Sequence, residues 1–223
     1  GETLVACAYI YEVAGVERGA AFVFVRDEMD QWRFQDILTP PEADRDLFCS
    51  SVAVQGDTIV VGAPEEDGDG SGPTNNDLSN SGAAFVYTRC GWNWELSAYL
   101  KPTVTGANDE FGSSVGIDGD LIVAGAPLED SSATGIDGDA TNNDDNSAGA
   151  AYVFARSGED WSQTAYLKPS HTDPGDAFGH SVAISGSTVV VGTPNEDGSG
   201  SGVNPMYVVD GTVAWTGGAG IED

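Results

Sequence analysis

A block of five residues returns four times along the chain, as Gly1-Glu2-Thr3-Leu4-Val5, Gly56-Asp57-Thr58-Ile59-Val60, Gly119-Asp120-Leu121-Ile122-Val123 and Gly186-Ser187-Thr188-Val189-Val190. Three further blocks keep step with it. Gly-Ala-Ala followed by three apolar residues starts at Gly19, Gly82 and Gly149, and an aromatic-to-leucine run spans Trp32 to Leu38, Trp94 to Leu100 and Trp161 to Leu167. Phe48-Cys49-Ser50-Ser51-Val52, Phe111-Gly112-Ser113-Ser114-Val115 and Phe178-Gly179-His180-Ser181-Val182 precede the internal Gly-Asp or Gly-Ser turns. Self-similarity at such a period means that one supersecondary unit is repeated, and that neighbouring units bury each other's faces.

Each repeat holds four apolar segments, short, rich in Val, Ile, Phe, Tyr and Trp, and bounded by Gly, Asp, Asn and Pro. No window sustains a 3.6-residue period, so the segments read as strands. We number them 1 (Phe-Gly-x-Ser-Val), 2 (Thr-Ile-Val-Val-Gly-Ala-Pro), 3 (Gly-Ala-Ala-Tyr-Val-Phe) and 4 (Trp to Leu). Tight turns between 1 and 2 make an antiparallel meander, and apolar runs in 2 and 3 indicate a sheet covered on both faces. The expected fold is all-β, a β-propeller-like array of four-stranded antiparallel blades, open or partial, with three to four blades. It forms a single domain over 1–223, with repeats at about 1–46, 47–110, 111–177 and 178–223. Tyr207 to Trp215 reads as an Asp-Gly hairpin, a degenerate last blade edge or a fragment's end.

Phe111-Gly112 followed by Gly125-Ala126-Pro127, Phe178-Gly179 followed by Gly192-Thr193-Pro194, and Phe48-Cys49 followed by Gly62-Ala63-Pro64 share one spacing. This pattern resembles the FG-GAP repeat. The resemblance covers Gly1 to about Gly202 and implies the propeller of integrin α chains and of bacterial surface or secreted proteins. It implies an extracellular, non-catalytic role in ligand binding or adhesion, with further blades or domains in a parent chain of which this is a piece. A spacer array, or the accessory propeller of a secreted hydrolase, is the alternative.

The net charge of −28 excludes nucleic acid as a default partner, since phosphate binding needs a basic surface. No apolar run approaches the ~18 residues of a membrane span. In the meander the 2–3 and 4–1 connections share one end, and they carry most of the acids, Glu66 and Glu129 among them. Arg26, Arg89 and Arg156 sit at the end of strand 3 and point the other way. The acidic face is expected to take a protein or glycan ligand.

Calcium is the expected cofactor, because hard cations want oxygens at alternating loop positions and a sharp turn midway. Asp67, Asp69, Ser71 and Asn75 stand at positions 1, 3, 5 and 9 of such a loop, with Gly72 at the sixth. Asp137, Asp139, Thr141 and Asp145 do the same in the next repeat, with Asn142 at the sixth and Asn143 offering its carbonyl at the seventh. Integrin calcium loops lie instead between strands 1 and 2, where this chain has only short turns such as Gln55-Gly56-Asp57, so their ligands do not transfer.

No catalytic residue is expected. His171 and His180 lack a paired nucleophile, and Ser181 matches Ser51 and Ser114 of the other repeats. Trp32, Trp94 and Trp161 read as blade-packing residues. The three cysteines, odd in number and irregular in spacing, predict neither a zinc site nor a disulfide framework. Cys7 and Cys49 stand where other repeats have Gly62 and Gly112, and Cys90 where another has Ser157, a pattern of drift.

Overall fold

The computed structural model describes residues 2–13, 15–41, 46–196 and 206–210. Among these there are strands and turns and no α-helix. The first blade contains β1 (Thr3–Ala8), a small hairpin of β2 (Glu12–Val13) and β3 (Val16–Glu17), then β4 (Ala20–Arg26) and β5 (Trp32–Leu38). Its sheet runs β1-β4-β5, which are strands 2, 3 and 4 of the repeat. The second blade is β6 (Ser51–Gln55), β7 (Thr58–Ala63), β8 (Ala83–Cys90) and β9 (Asn93–Leu100). The third is β10 (Ser114–Asp118), β11 (Leu121–Ala126), β12 (Ala150–Ser157) and β13 (Asp160–Leu167). Both are complete four-stranded antiparallel meanders. The fourth blade has β14 (Ser181–Ser185), β15 (Thr188–Gly192) and β16 (Met206–Asp210).

Met206–Asp210 pairs with β15 in the place of strand 3, and the rest of the expected Asp-Gly hairpin, Gly211 to Trp215, lies outside the described residues. The two-residue turns match expectation. Gln55 pairs with Thr58 across Gly56-Asp57, and Gly56 has φ +56°, which suits glycine at the first central position of a type II′ turn.

Side chains alternate between two blade interfaces. Ala21 and Val23 of the first blade meet Ile59, Val61, Phe85 and Tyr87 of the second. The second blade's Val60, Ala84 and Val86 meet Ile122, Ala124, Tyr152 and Phe154 of the third. Strands 2 and 3 are therefore buried on both faces, and that removes the polar alternation from their sequence. On the first blade's other face, Leu4, Trp32 and Phe34 are 42%, 44% and 55% exposed. The same alternation turns the half-buried Val5 toward the second blade, and in the fourth blade Val189 and Val191 are fully covered.

The Phe-Gly and Gly-Ala-Pro motifs form the joint between blades. Phe111 N–H donates to Ser81 O of the preceding blade at 3.1 Å, and Gly112 N–H to Gly125 O of its own blade at 2.9 Å. Gly112 adopts φ +87°, a left-handed conformation natural to glycine. Its carbonyl lies against Gly62, where an added Cβ would stand 1.9 Å from Gly112 O, and it accepts a 2.7 Å hydrogen bond from Ser51 Oγ. The third joint repeats this with Gly125, Gly179 and Ser114.

At the first joint the facing positions are Cys7 and Cys49, and they form a disulfide with Cα atoms 5.2 Å apart. The expectation of no disulfide is thus wrong. Positions at which two glycines touch across blades bring two cysteines within bonding reach. Cys90 is free and exposed.

Candidate functional site

The 2–3 and 4–1 connections do share one end of the blades, and much of that end is built by short hydrogen-bonded turns. In the first candidate loop, Asp69 Oδ1 accepts from Ser71 N–H at 2.8 Å, while Asn75 Oδ1 accepts from the N–H groups of Asp69 and Asp77. Asp67 Oδ1 instead accepts Asn80 N–H at 2.7 Å. In the second loop, Asp139 Oδ1 accepts from Thr141 N–H and Oγ1, and Asp137 Oδ1 accepts Tyr166 N–H at 2.9 Å. Asp145 N–H donates to Asp130 O, and Asn143 is exposed. Hydrogen bonds from Ser71 and Thr141 hold the carboxyls of Asp69 and Asp139 below the ordinary aspartate range. Among the described residues, three acidic ligand atoms converge within 4.8 Å elsewhere, at Asp173, Asp176 and Glu196.

Beneath this surface lies a layer built on two of the acids that the sequence places on the acidic face. Glu66 and Glu129 are 2% and 4% exposed. Tyr99 OH donates to Glu66 Oε1 at 2.8 Å, and Lys101 Nζ lies 2.5 Å from Glu66 Oε2 and donates to Ser81 Oγ. One repeat on, Tyr166 OH donates to Glu129 Oε1 at 2.9 Å and Lys168 Nζ to Oε2 at 2.8 Å. Burial, then the adjacent glutamate, drives both tyrosine hydroxyls well above their ordinary pKa. Burial also lowers both lysines, although the glutamates act in the opposite sense. The signal in the sequence was that the chain's two lysines share one repeat position, each two residues after a Tyr.

Asp109 closes the layer. It is 6% exposed and caps Gly106 N–H at 2.9 Å. Burial raises its pKa to about 7, with Glu129 and Asp130 adding to the rise against that hydrogen bond. A carboxyl raised in the folded state binds its proton more tightly there than in the unfolded chain. Its stabilising contribution is therefore complete below the unfolded value and lost as pH climbs through about 7. Asp109→Asn keeps an acceptor for Gly106 and removes the charge. Thermal melts between mildly acidic and mildly alkaline pH are expected to show the variant gaining on the wild type as pH rises; parallel curves would contradict the assignment.

At the opposite end each arginine stacks on the tryptophan of its blade, Arg89 at 4.7 Å and Arg156 at 5.5 Å from the ring centroid. Arg89 and Arg156 also pair with Asp57 and Asp120 of the neighbouring turn. Trp94 Nε1 donates to Gln35 of the first blade at 3.0 Å, the expected blade-to-blade role.

The FG-GAP repeat model matches residues 32–87, 94–154 and 161–209, most of the chain. The chain belongs to the FG-GAP repeat family. Each match begins at the strand 4 tryptophan of one FG-GAP blade and runs into strand 3 of the next, so the family unit spans the Phe-Gly joint. No curated protein matches the chain. FG-GAP repeats suggest a propeller-like domain of the integrin α type, and they are typical of extracellular or surface proteins. No helix of the described residues is long and apolar enough to cross a membrane.

Proposed function

We propose that this FG-GAP chain is a non-catalytic, extracellular propeller segment that binds a protein or glycan ligand through its acidic loop face, in adhesion or surface attachment. The observation that carries this reading is the construction of that face. Exposed carboxylates such as Asp69 and Asp139 ride on turns anchored to buried Glu–Tyr–Lys layers. Binding groups on loops fixed to a rigid scaffold lose little entropy on engagement. The Cys7–Cys49 disulfide supports an oxidising compartment outside the cell. Recognition is tested by immobilising the chain and presenting glycans and extracellular-matrix proteins. Saturable binding that Asp69→Asn with Asp139→Asn abolishes is expected; a chain that retains nothing from either panel would be a spacer.

Calcium is the cofactor in this reading, held by the Asp67–Asn75 and Asp137–Asp145 loops. A ligand bound only by the folded state adds roughly 1.4 kcal/mol at about ten times its Kd, a melting shift of a few degrees in a chain of this size. Millimolar calcium is expected to raise the melting temperature by that margin over chelator at matched ionic strength. Identical melts would remove calcium from the account.

A further inference from the structure

Both lysines of a chain with 36 acids are spent inside the fold. The Lys101 and Lys168 side chains are 5% and 0% exposed, and each meets a glutamate side chain no more than 5% exposed. An ion pair so placed has lost the hydration of both charges, and apolar side chains would often serve stability as well. Moving one proton from Nζ to the carboxylate turns the pair into an amine and a carboxylic acid, the two reactants of an amide. We propose that Lys101 with Glu66, and Lys168 with Glu129, form intramolecular isopeptide bonds.

In each, the neutral Nζ attacks the glutamate Cδ and a C–N bond forms. The nitrogen gives up a proton, the Cδ–Oε2 bond breaks, and Oε2 leaves as water carrying that proton and its own. Ammonium plus carboxylate becomes amide plus water, with nothing oxidised or reduced. Contact between Nζ and a carboxyl oxygen brings the nitrogen to about 3–3.5 Å from the carbon, a near-attack separation. The 2.5 Å contact of Lys101 with Glu66 Oε2 is not aligned as a hydrogen bond, and the broad terminal torsion of glutamate lets the carbonyl face turn toward the nitrogen. Tyr99 and Tyr166 donate to Oε1, where negative charge gathers as the carbon becomes tetrahedral. Buried Asp109 interacts with both Glu129 and Lys168 and is suited to carry the proton; Asp46 holds its repeat position near Lys101. Each bond ties the loop after strand 2 to the end of strand 4 in the same blade, so that the outer strand cannot be peeled away under load.

The chain's free amines are few enough to count. After reduction and denaturation, the whole protein is weighed before and after treatment with excess amine-acylating reagent. The expected mass is two waters below that of the sequence, with one acyl group gained, at the α-amine. A deficit of one water with two acyl groups would keep the bond in one blade and overturn it in the other. Three acyl groups overturn the proposal whatever the mass, since a succinimide at a step such as Asp67-Gly68 loses water but leaves the lysines reactive. Lys168→Arg keeps the charge and removes the nucleophile, so its deficit should fall by one water. Should that variant fail to fold, the amine count on the wild type still decides.

Discussion

Replacing Cys7 and Cys49 together by serine is expected to lower stability by about 2–4 kcal/mol, measured by urea unfolding. The two residues are 42 apart in sequence, and a loop of that size, released in the unfolded chain, sets a ceiling of about 4 kcal/mol. The loss should also appear when the wild type is reduced. Cys90→Ser is the control, since Cys90 is exposed and unbonded. A double variant as stable as the wild type would mean that the first two blades are held without the crosslink.

Gly125→Ala is expected to destabilise the chain by more than about 3 kcal/mol, above the usual range for an added methyl group. The new Cβ would stand 1.9 Å from Gly179 O and 2.5 Å from Ser114 Oγ. The first of these is backbone, fixed by the joint to the fourth blade, so relief requires the blades to part. Gly116→Ala supplies the comparison, because its methyl would meet no backbone so closely, only side-chain carbons of Val123 and Ile184 at 3.1 and 3.3 Å. Equal unfolding midpoints for the two variants would contradict the close approach at Gly125.

Much of this architecture could be read from sequence because the repeated residues are those that the blade joint constrains. Phe111, Gly112, Ser114 and Gly125 recur as a spaced pattern since each meets a neighbouring strand or blade at fixed distance. The acidic end was legible for a similar reason: the meander sorts its connections by topology alone. What stayed hidden depends on pairs distant in sequence. Cys7 and Cys49 each look like an isolated departure from glycine, and only the contact between Gly62 and Gly112 shows that the two departures face each other. Glu66 and Glu129 were indistinguishable from their solvated neighbours by composition. Their burial follows from Tyr and Lys residues that arrive from strand 4, more than thirty positions later. The Asp67 and Asp137 loops keep the predicted spacing, yet these two carboxylates turn to backbone N–H groups of Asn80 and Tyr166, a choice set by tertiary neighbours.

The central claim is that successive blades meet in repeat register, strand 2 of one against the Phe-Gly turn of the next. Peptide mapping of the protein digested without reduction tests it most directly. The account predicts one crosslinked pair, the peptide holding Cys7 joined to the peptide holding Cys49, with Cys90 recovered as a free thiol. A bond to Cys90, or three free thiols, would contradict it.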